Sequence, residues 1–188
     1  MTLYIKNMVC NRCKTAVAIE IKSVGLTQRS IELGEVVLYE LPTVEQRDLL
    51  KTRLEKLGFE LLNDPHHQII ERIKTRIIEL VHYNTGVKRH ENLSDLLVQH
   101  LQKDYAGLSS LFSEVEGITI EHFYILQKIE RVKELLVYDE MNLSEIAFQT
   151  DYSSLSHLSH QFKKITGLTP THFKKIGNQK RQALDTLL

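Results

Sequence analysis

The sequence has no long run of apolar residues. A helix needs about 18 apolar residues to cross a bilayer, and no stretch of the sequence approaches that length. The beginning of the chain, Met1 to Lys14, lacks the basic and then apolar layout of a signal peptide. Apolar residues still make up 42% of the 188-residue chain, enough for the core of one ordinary domain or two small ones. We therefore expect a folded, cytoplasmic protein that does not enter a membrane.

Cysteine is also scarce. The chain has two, Cys10 and Cys13, and their close spacing cannot link distant parts of a fold by a disulfide. In a reducing compartment such a pair more often binds a metal ion or carries out redox chemistry. Two inert thiols are the simpler alternative.

The chain has no excess of charge of either sign, since 24 Lys and Arg balance 24 Asp and Glu. A net charge of zero argues at first against nucleic-acid binding, because phosphates are neutralised by Lys and Arg. The charges are unevenly distributed, however. Residues 63–140 carry nine basic and 13 acidic side chains, whereas residues 141–188 carry six basic and three acidic ones. The last segment is therefore the one suited to a polyanion.

What the sequence does contain is an internal repeat. Residues 92–123 align with residues 142–173 at a constant offset of 50 positions, without a gap. The residues that are identical in the second copy are Asn92, Leu93, Ser94, Gln99, Leu108, Ser109, Phe112, Gly117, Thr119, His122 and Phe123. Two copies are too few for a solenoid, so we interpret the repeat as one supersecondary unit used twice.

Each copy is predicted to consist of two helices and a short turn, because its apolar residues recur with a helical period. The turns, at residues 101–104 and 151–153, have the length typical of a helix-turn-helix unit. Gly117 and Gly167 lie where a left-handed C-cap would end the second helix. Between the copies, residues 121–138 are predicted to form one long helix that holds the two units at a fixed separation.

The first helix of each copy begins with residues that can cap it. Asn142 is followed three positions later by Glu145, which is the spacing of a capping box, and Asn92 with Asp95 is a weaker version. A plain helical bundle that arose by duplication is the structural alternative to two helix-turn-helix units.

Three segments of the second copy carry a family resemblance: Leu-Ser-Glu-Ile-Ala-Phe-Gln at 143–149, Asp-Tyr-Ser-Ser-Leu-Ser-His-Leu-Ser-His-Gln-Phe-Lys-Lys at 151–164, and Gly-Leu-Thr-Pro at 167–170. Together they resemble the signature of the AraC/XylS family of bacterial transcription regulators. The resemblance covers about residues 66–175, and Gln68 to His82 is similar to that family's opening helix. It implies an all-helical DNA-binding domain at residues 66–178, followed by a tail at 179–188.

The resemblance also implies a function and a set of contacts. It implies a regulator of transcription and not an enzyme, with double-stranded DNA as partner and with RNA polymerase and a second copy of the chain as candidate protein partners. The implied contacts of the second unit are Leu155, Ser156, His157, Ser159 and His160 in the groove, with Lys163 and Lys164 near phosphates. Those of the first unit are Tyr105, Ala106, Ser109 and Ser110.

The sequence departs from the family pattern in ways that affect DNA binding. Asp151 stands where the family usually has glycine. Ser113 and Glu114 occupy the positions of Lys163 and Lys164, so we expect the first unit to contribute less to binding. Neither helix has an arginine, so bidentate recognition of guanine by arginine is not available to them.

The N-terminal residues 1–63 show a β-α-β-β-α-β order, which predicts a ferredoxin-like α+β sandwich. The expected strands are 3–6, 28–33, 36–40 and 59–62, the expected helices are 13–24 and 44–57, and Gly34 is the expected hairpin turn. Asn63-Asp64-Pro65 would then be a very short junction to the helical domain.

The loop between the first strand and the first helix reads Met8-Val9-Cys10-Asn11-Arg12-Cys13. It resembles the Met-x-Cys-x-x-Cys loop of heavy-metal-associated domains, although Asn7 stands where that family usually has glycine. A helix N-terminus lowers thiol pKa values, and two thiolates suit Cu(I), whereas tetrahedral Zn(II) would need two further ligands. We expect Cys10 and Cys13 to be the metal ligands and Met8 to be a core residue. His66 and His67 could add ligands, but exposed polar residues at a helix start are the favoured interpretation.

Other functions of the cysteine pair stay open. A Cys-x-x-Cys pair that opens a helix is also typical of thioredoxin-like oxidoreductases, although the order of elements disfavours that fold and Pro42 is poorly placed for its cis-proline loop. A metal carrier or a degenerate module that only dimerises are further alternatives. The sequence predicts, on balance, that Cu(I) at the cysteines changes the affinity of the helical domain for DNA.

Overall fold

The computed structural model describes residues 1–83, 92–138 and 140–176. They fall into two compact units, Met1–Thr75 and the described residues from Arg76 onward. The tail predicted at 179–188 and residues 177 and 178 lie outside the described residues. Within the described ranges, no helix combines the length and the apolar character that a membrane span needs.

The first unit opens with the predicted order of elements. They are β1 Thr2–Lys6, α1 Asn11–Ser23, β2 Gln28–Glu32, β3 Glu35–Leu38, α2 Val44–Lys56 and β4 Glu60–Leu62. The strands form one antiparallel sheet in the order β2-β3-β1-β4. The small α+β unit is therefore confirmed, and the ferredoxin-like fold stays a prediction.

The core of this unit lies between the sheet and its two helices. Because side chains alternate along a strand, Leu3 and Ile5 of β1 lie on the same face and are buried. The helices add Val17, Ile21, Leu50 and Leu54 to this core. Met8 is 2% exposed and packs in the same cluster, as predicted.

Gly34 forms the turn between β2 and β3, as predicted, at φ +74°. A Cβ atom at this position would lie 2.8 Å from Thr75 Oγ1. The turn therefore needs glycine both for its backbone conformation and for the close approach of Thr75.

The helix α3, Pro65–Ile78, follows β4, and a π-helical turn follows it at Glu79–Tyr83. The side chain of Asp64 accepts hydrogen bonds from the backbone N–H groups of His66 and His67 and so caps the helix start. The boundary between the two compact units lies inside α3, after Thr75, whereas the sequence places the domain junction at 63–65.

The second unit continues with the predicted pairs of helices. They are α4 Leu93–Leu101, α5 Tyr105–Glu116, α6 Ile120–Tyr138, α7 Leu143–Gln149, α8 Leu155–Thr166 and α9 Pro170–Ile176. The long helix expected between the copies is α6. The turn of the second pair comprises residues 150–154 and is longer than the one at residues 102–104.

The repeated phenylalanines pack against each other within each copy. Phe112 and Phe123 have ring centroids 5.8 Å apart, and Phe162 and Phe173 have theirs 5.5 Å apart. All four side chains are buried. The sequence repeat is therefore also a repeat of packing, as two copies of one helix-turn-helix unit require.

Candidate nucleic-acid interface

The helix α8 has one buried and one exposed face. Leu158 and Phe162 are fully buried and hold the helix to the core of the second copy. The residues predicted to contact DNA lie on the other side. Of these, Leu155, Ser156, His157, His160, Lys163 and Lys164 are exposed, and Ser159 is half-buried. The structure thus brings all seven residues together on one helix.

The first turn of α8 holds one of these residues in place. Ser154 is the N-cap, and its hydroxyl accepts a hydrogen bond from His157 N–H at 3.1 Å. The imidazole Nδ1 of His157 lies 3.0 Å from Ser153 Oγ, and its ring meets the ring of Tyr152 edge-on at 5.3 Å. Two residues of the turn, Ser153 and Tyr152, therefore hold the imidazole ring of His157.

The turn before α8 has an unusual backbone. Asp151 adopts φ +54°, a conformation that favours glycine, and the resemblance described above implied glycine at this position. The ammonium of Lys128, from α6, donates to the backbone carbonyl of Asp151 at 2.8 Å. The sequence did not indicate Lys128, since 23 positions separate it from this turn. The only sequence signal for such a contact was Asp151, at a position where the resemblance implied glycine.

The helix α7 precedes this turn, and the predicted capping box forms at its N-terminus. Asn142 Oδ1 accepts hydrogen bonds from Ser144 N–H and Glu145 N–H, and Glu145 Oε2 accepts one from Asn142 N–H. The weaker pair in the first copy differs, because the Asn92 side chain makes no cap hydrogen bond to the backbone of α4. The second unit is thus the better capped of the two.

The helix α5 presents a different surface. Ala106 and Ser110 are exposed, whereas Tyr105 and Ser109 are half-buried. The hydroxyl of Tyr105 donates to the carboxylate of Glu121. Burial and this carboxylate raise the pKa of Tyr105, and the hydrogen bond from Tyr105 lowers the pKa of Glu121. The predicted DNA contact at Tyr105 therefore lies beside a carboxylate.

The ends of the two helices carry opposite charges. The last turn of α8 contains Lys163 and Lys164, whereas the last turn of α5 contains no basic residue. Two further lysines, Lys174 and Lys175, lie in the last turn of α9 and are exposed. Our sequence interpretation did not single out these two. The second unit is therefore the more cationic of the pair.

Cys10 and Cys13 lie at the start of α1, in the first unit. Cys10 is the N-cap residue, and the two sulfur atoms are 3.1 Å apart and partly exposed. Burial acts to raise the pKa of Cys10, but the hydrogen bonds from Cys13 and from the Arg12 backbone, together with the charge of Arg12, lower this pKa overall. At Cys13, burial and the hydrogen bond to Cys10 raise the pKa. The lowering that we expected for both thiols is thus found at Cys10 alone.

The donor set around the cysteines fits a two-coordinate soft ion better than a tetrahedral one. Over the described residues, no group of three or more His, Cys, Asp or Glu side chains could hold a metal ion. His66 and His67 therefore do not complete a site with the cysteines there. Two thiols that no His, Asp or Glu of the described residues joins in a metal site suit Cu(I), which accepts low coordination by sulfur.

The loop before the cysteines is tied to α3. Asn7 adopts φ +70°, a left-handed conformation that favours glycine. Its side chain donates to Gly58 O at 2.8 Å, and its backbone N–H donates to Glu71 Oε1 at 3.3 Å. The loop that carries the thiols therefore has a direct hydrogen bond to α3.

Comparisons with known proteins agree with this organisation. A family model for a helix-turn-helix domain matches residues 97–176. An uncharacterized HTH-type transcriptional regulator of Staphylococcus aureus is 33% identical over 86 residues, which are 45% of this chain and 12% of that protein. The probable transcriptional regulator LumQ of Photobacterium leiognathi is 30% identical over 105 residues, which cover 46% of this chain and 42% of that protein.

A solved structure shows the same fold. The C-terminal domain of AraT, a response regulator from Geobacillus stearothermophilus, matches with a TM-score of 0.51 at 21% identity and covers 64% of this chain and 93% of that one. The helix-turn-helix domain predicted from the sequence is thereby confirmed for residues 97–176, whereas its AraC type stays a prediction. This chain spans 12% and 42% of the lengths of these two regulators.

Proposed function

We propose that this chain is a transcription regulator of the AraC type that binds a specific DNA sequence through α5 and α8. The observation that carries the proposal is α8 itself, a helix on a helix-turn-helix domain with an exposed face of hydroxyl, imidazole and ammonium groups. RNA polymerase and a second copy of the chain are the protein partners implied by the family resemblance.

The side chains of α8 divide into two roles. Lys163 and Lys164, in its last turn, neutralise phosphates, which contributes affinity without sequence preference. Near its start, Ser156, His157 and His160 offer hydroxyl and imidazole groups to base edges, and Leu155 offers an apolar contact to a thymine methyl group. The first unit supplies a weaker set of contacts through α5, because it has no lysine in the matching turn.

Selection of bound fragments from a pool of random duplexes tests this function. The full chain is expected to enrich one asymmetric motif, because the two units present different side chains to the DNA. A pool that stays random after repeated rounds would contradict the proposal.

We further propose that Cu(I), held by Cys10 and Cys13, changes the affinity of the chain for DNA. A bound thiophilic ion would draw both sulfurs into thiolate coordination and so fix the loop in one conformation. The loop donates a hydrogen bond from Asn7 to Glu71, and Glu71 belongs to α3, the helix in which the chain passes from the first unit to the second. A change in the conformation of the cysteine loop could thus alter α3 and, through it, the residues that follow α3 in the sequence.

A further inference from the structure

Lys128 is a buried cation in the middle of α6. Only 9% of its surface is exposed. Its ammonium donates to Asp151 O at 2.8 Å, lies 4.0 Å from the ring centroid of Tyr152 and lies 5.5 Å from that of Tyr124. A buried ammonium is costly unless it is compensated, and a carbonyl oxygen and two aromatic faces provide that compensation here.

Two of the contacts of Lys128, to the Asp151 carbonyl and to the Tyr152 ring, lie on the turn that leads into α8. Asp151 and Tyr152 are neighbours in this turn, and Asp151 has the left-handed backbone that a side chain disfavours. By holding the carbonyl of Asp151, Lys128 stabilises this conformation without glycine. By lying over Tyr152, it also fixes the ring of the next residue.

Tyr152 connects Lys128 to α8. Its hydroxyl donates to Gln161 Oε1 at 2.6 Å, and burial raises its pKa, so the hydroxyl stays protonated and available as a donor. Its ring meets His157 edge-on at 5.3 Å. Gln161 and His157 lie one turn apart on α8, so a single tyrosine sets the position of two residues of that helix.

We propose that Lys128 is a positioning residue for DNA recognition. It sets the position of α8 and the orientation of His157 through the Asp151 carbonyl and through Tyr152, whose hydroxyl bonds to Gln161 and whose ring meets His157, and it does not itself touch DNA. The inference rests on the proposed function, since it names what orients the helix that reads the bases. The sequence resemblance assigns contacts only on the helices that enter the groove, and Lys128 lies outside them.

The chain offers a matched control on the same helix. Lys133 is also buried, but its ammonium is paired at 3.2 Å with Glu130, which belongs to α6 itself. Replacing either lysine with methionine keeps an unbranched apolar stem and removes a buried cation. Only the replacement of Lys128 removes a contact to the turn before α8.

The experiment compares Lys128→Met with Lys133→Met in the full chain, using the duplex that wild type selects and a scrambled duplex of equal length. We expect Lys128→Met to lose about tenfold in the ratio of the two affinities, the factor expected for one base contact. The slope of log affinity against log salt should stay as in wild type, because no phosphate contact is removed. Lys133→Met should lower the unfolding temperature but keep the ratio.

A second variant separates positioning from folding. Tyr152→Phe keeps the ring under Lys128 and removes only the hydroxyl that donates to Gln161. We expect Tyr152→Phe to fold and to lose part of the discrimination between the selected and the scrambled duplex. It therefore tests the connection from Lys128 to α8 if Lys128→Met does not fold.

Four outcomes would overturn the inference. The first is a Tyr152→Phe protein that distinguishes the selected duplex from the scrambled one as well as wild type. The second is an equal loss of this discrimination in Lys128→Met and Lys133→Met. A salt slope that flattens in Lys128→Met would instead make Lys128 a phosphate contact. If wild type itself selects no motif, the proposed function fails and this inference fails with it.

Discussion

Lys163 and Lys164 are the residues through which DNA affinity is most directly testable. Both are exposed in the last turn of α8. Replacing both with alanine should weaken binding to every duplex, because phosphate contacts carry no sequence preference. The slope of log affinity against log salt should flatten by about 0.9 for each phosphate that is no longer neutralised. Titrations at several salt concentrations measure both effects.

The matching positions in the first unit supply the control for this pair. Ser113 and Glu114 lie in the last turn of α5, at the same offset as the two lysines. Alanine at both positions should leave binding unchanged or strengthen it slightly, because a carboxylate facing DNA is repulsive. Equal weakening by both pairs of substitutions would show that the two units contribute equally.

Substitutions at two glycines distinguish the stability cost of backbone strain from the cost of a steric clash. Gly34 and Gly58 both have positive φ, at +74° and +82°, but a Cβ atom meets Thr75 Oγ1 at 2.8 Å only at Gly34. Gly58→Ala should therefore cost about 1 kcal/mol of stability from strain alone, and Gly34→Ala should cost more. Chemical denaturation of the two variants measures the difference. Equal costs would mean that Thr75 yields without penalty.

At the scale of the helix, the two copies of the repeat differ in how their first helices begin. Asn142 caps α7 with two side-chain hydrogen bonds, whereas Asn92 makes none to the backbone of α4. Asn142→Ala should cost about 1 kcal/mol of stability, the usual value for the removal of an N-cap. Asn92→Ala is the matched control and should cost much less. Thermal unfolding of both variants tests this, and similar losses would contradict the structural difference.

At the scale of the whole molecule, the central question is whether a metal at the first unit changes what the second unit does. DNA titrations of the reduced protein with Cu(I), with Zn(II) and without metal should give different affinities, with Cu(I) having the largest effect. Typical coupling of this kind changes affinity by about 5- to 150-fold. Tight metal binding alone is not sufficient, because the ion must bind the two DNA-affinity states differently.

The double variant Cys10→Ser, Cys13→Ser is the control for this coupling. It should bind DNA as the metal-free wild type does under every condition. Identical titrations of wild type and variant would exclude the metal response and favour a docking or dimerisation role for the first unit. Insulin reduction that disappears in the variant would instead favour a thiol oxidoreductase.

Much of the architecture could be predicted because it follows from local patterns. The helical period and the repeated Phe112 and Phe162 predict two copies of a helix pair, and the two phenylalanines do pack alike. Alternating apolar residues and Gly34 predict the sheet and its turn. Boundaries were less predictable, because helix ends depend on hydrogen bonds as well as on pattern: α1 begins at Asn11, with Cys10 as its N-cap, and not at Cys13.

The sequence by itself determined which residues face outward on α8, since periodicity alone assigns each position of a helix to a face. It also determined the charge difference between the two units, which is a matter of composition. Only the tertiary structure decided what holds α8 in place, because the contact between Lys128 and the Asp151 carbonyl joins α6 to the turn before α8. It likewise decided that Tyr105 is paired with Glu121 and that Asn7 is joined to Glu71. Such pairs arise from the packing of whole elements, and no local pattern encodes them.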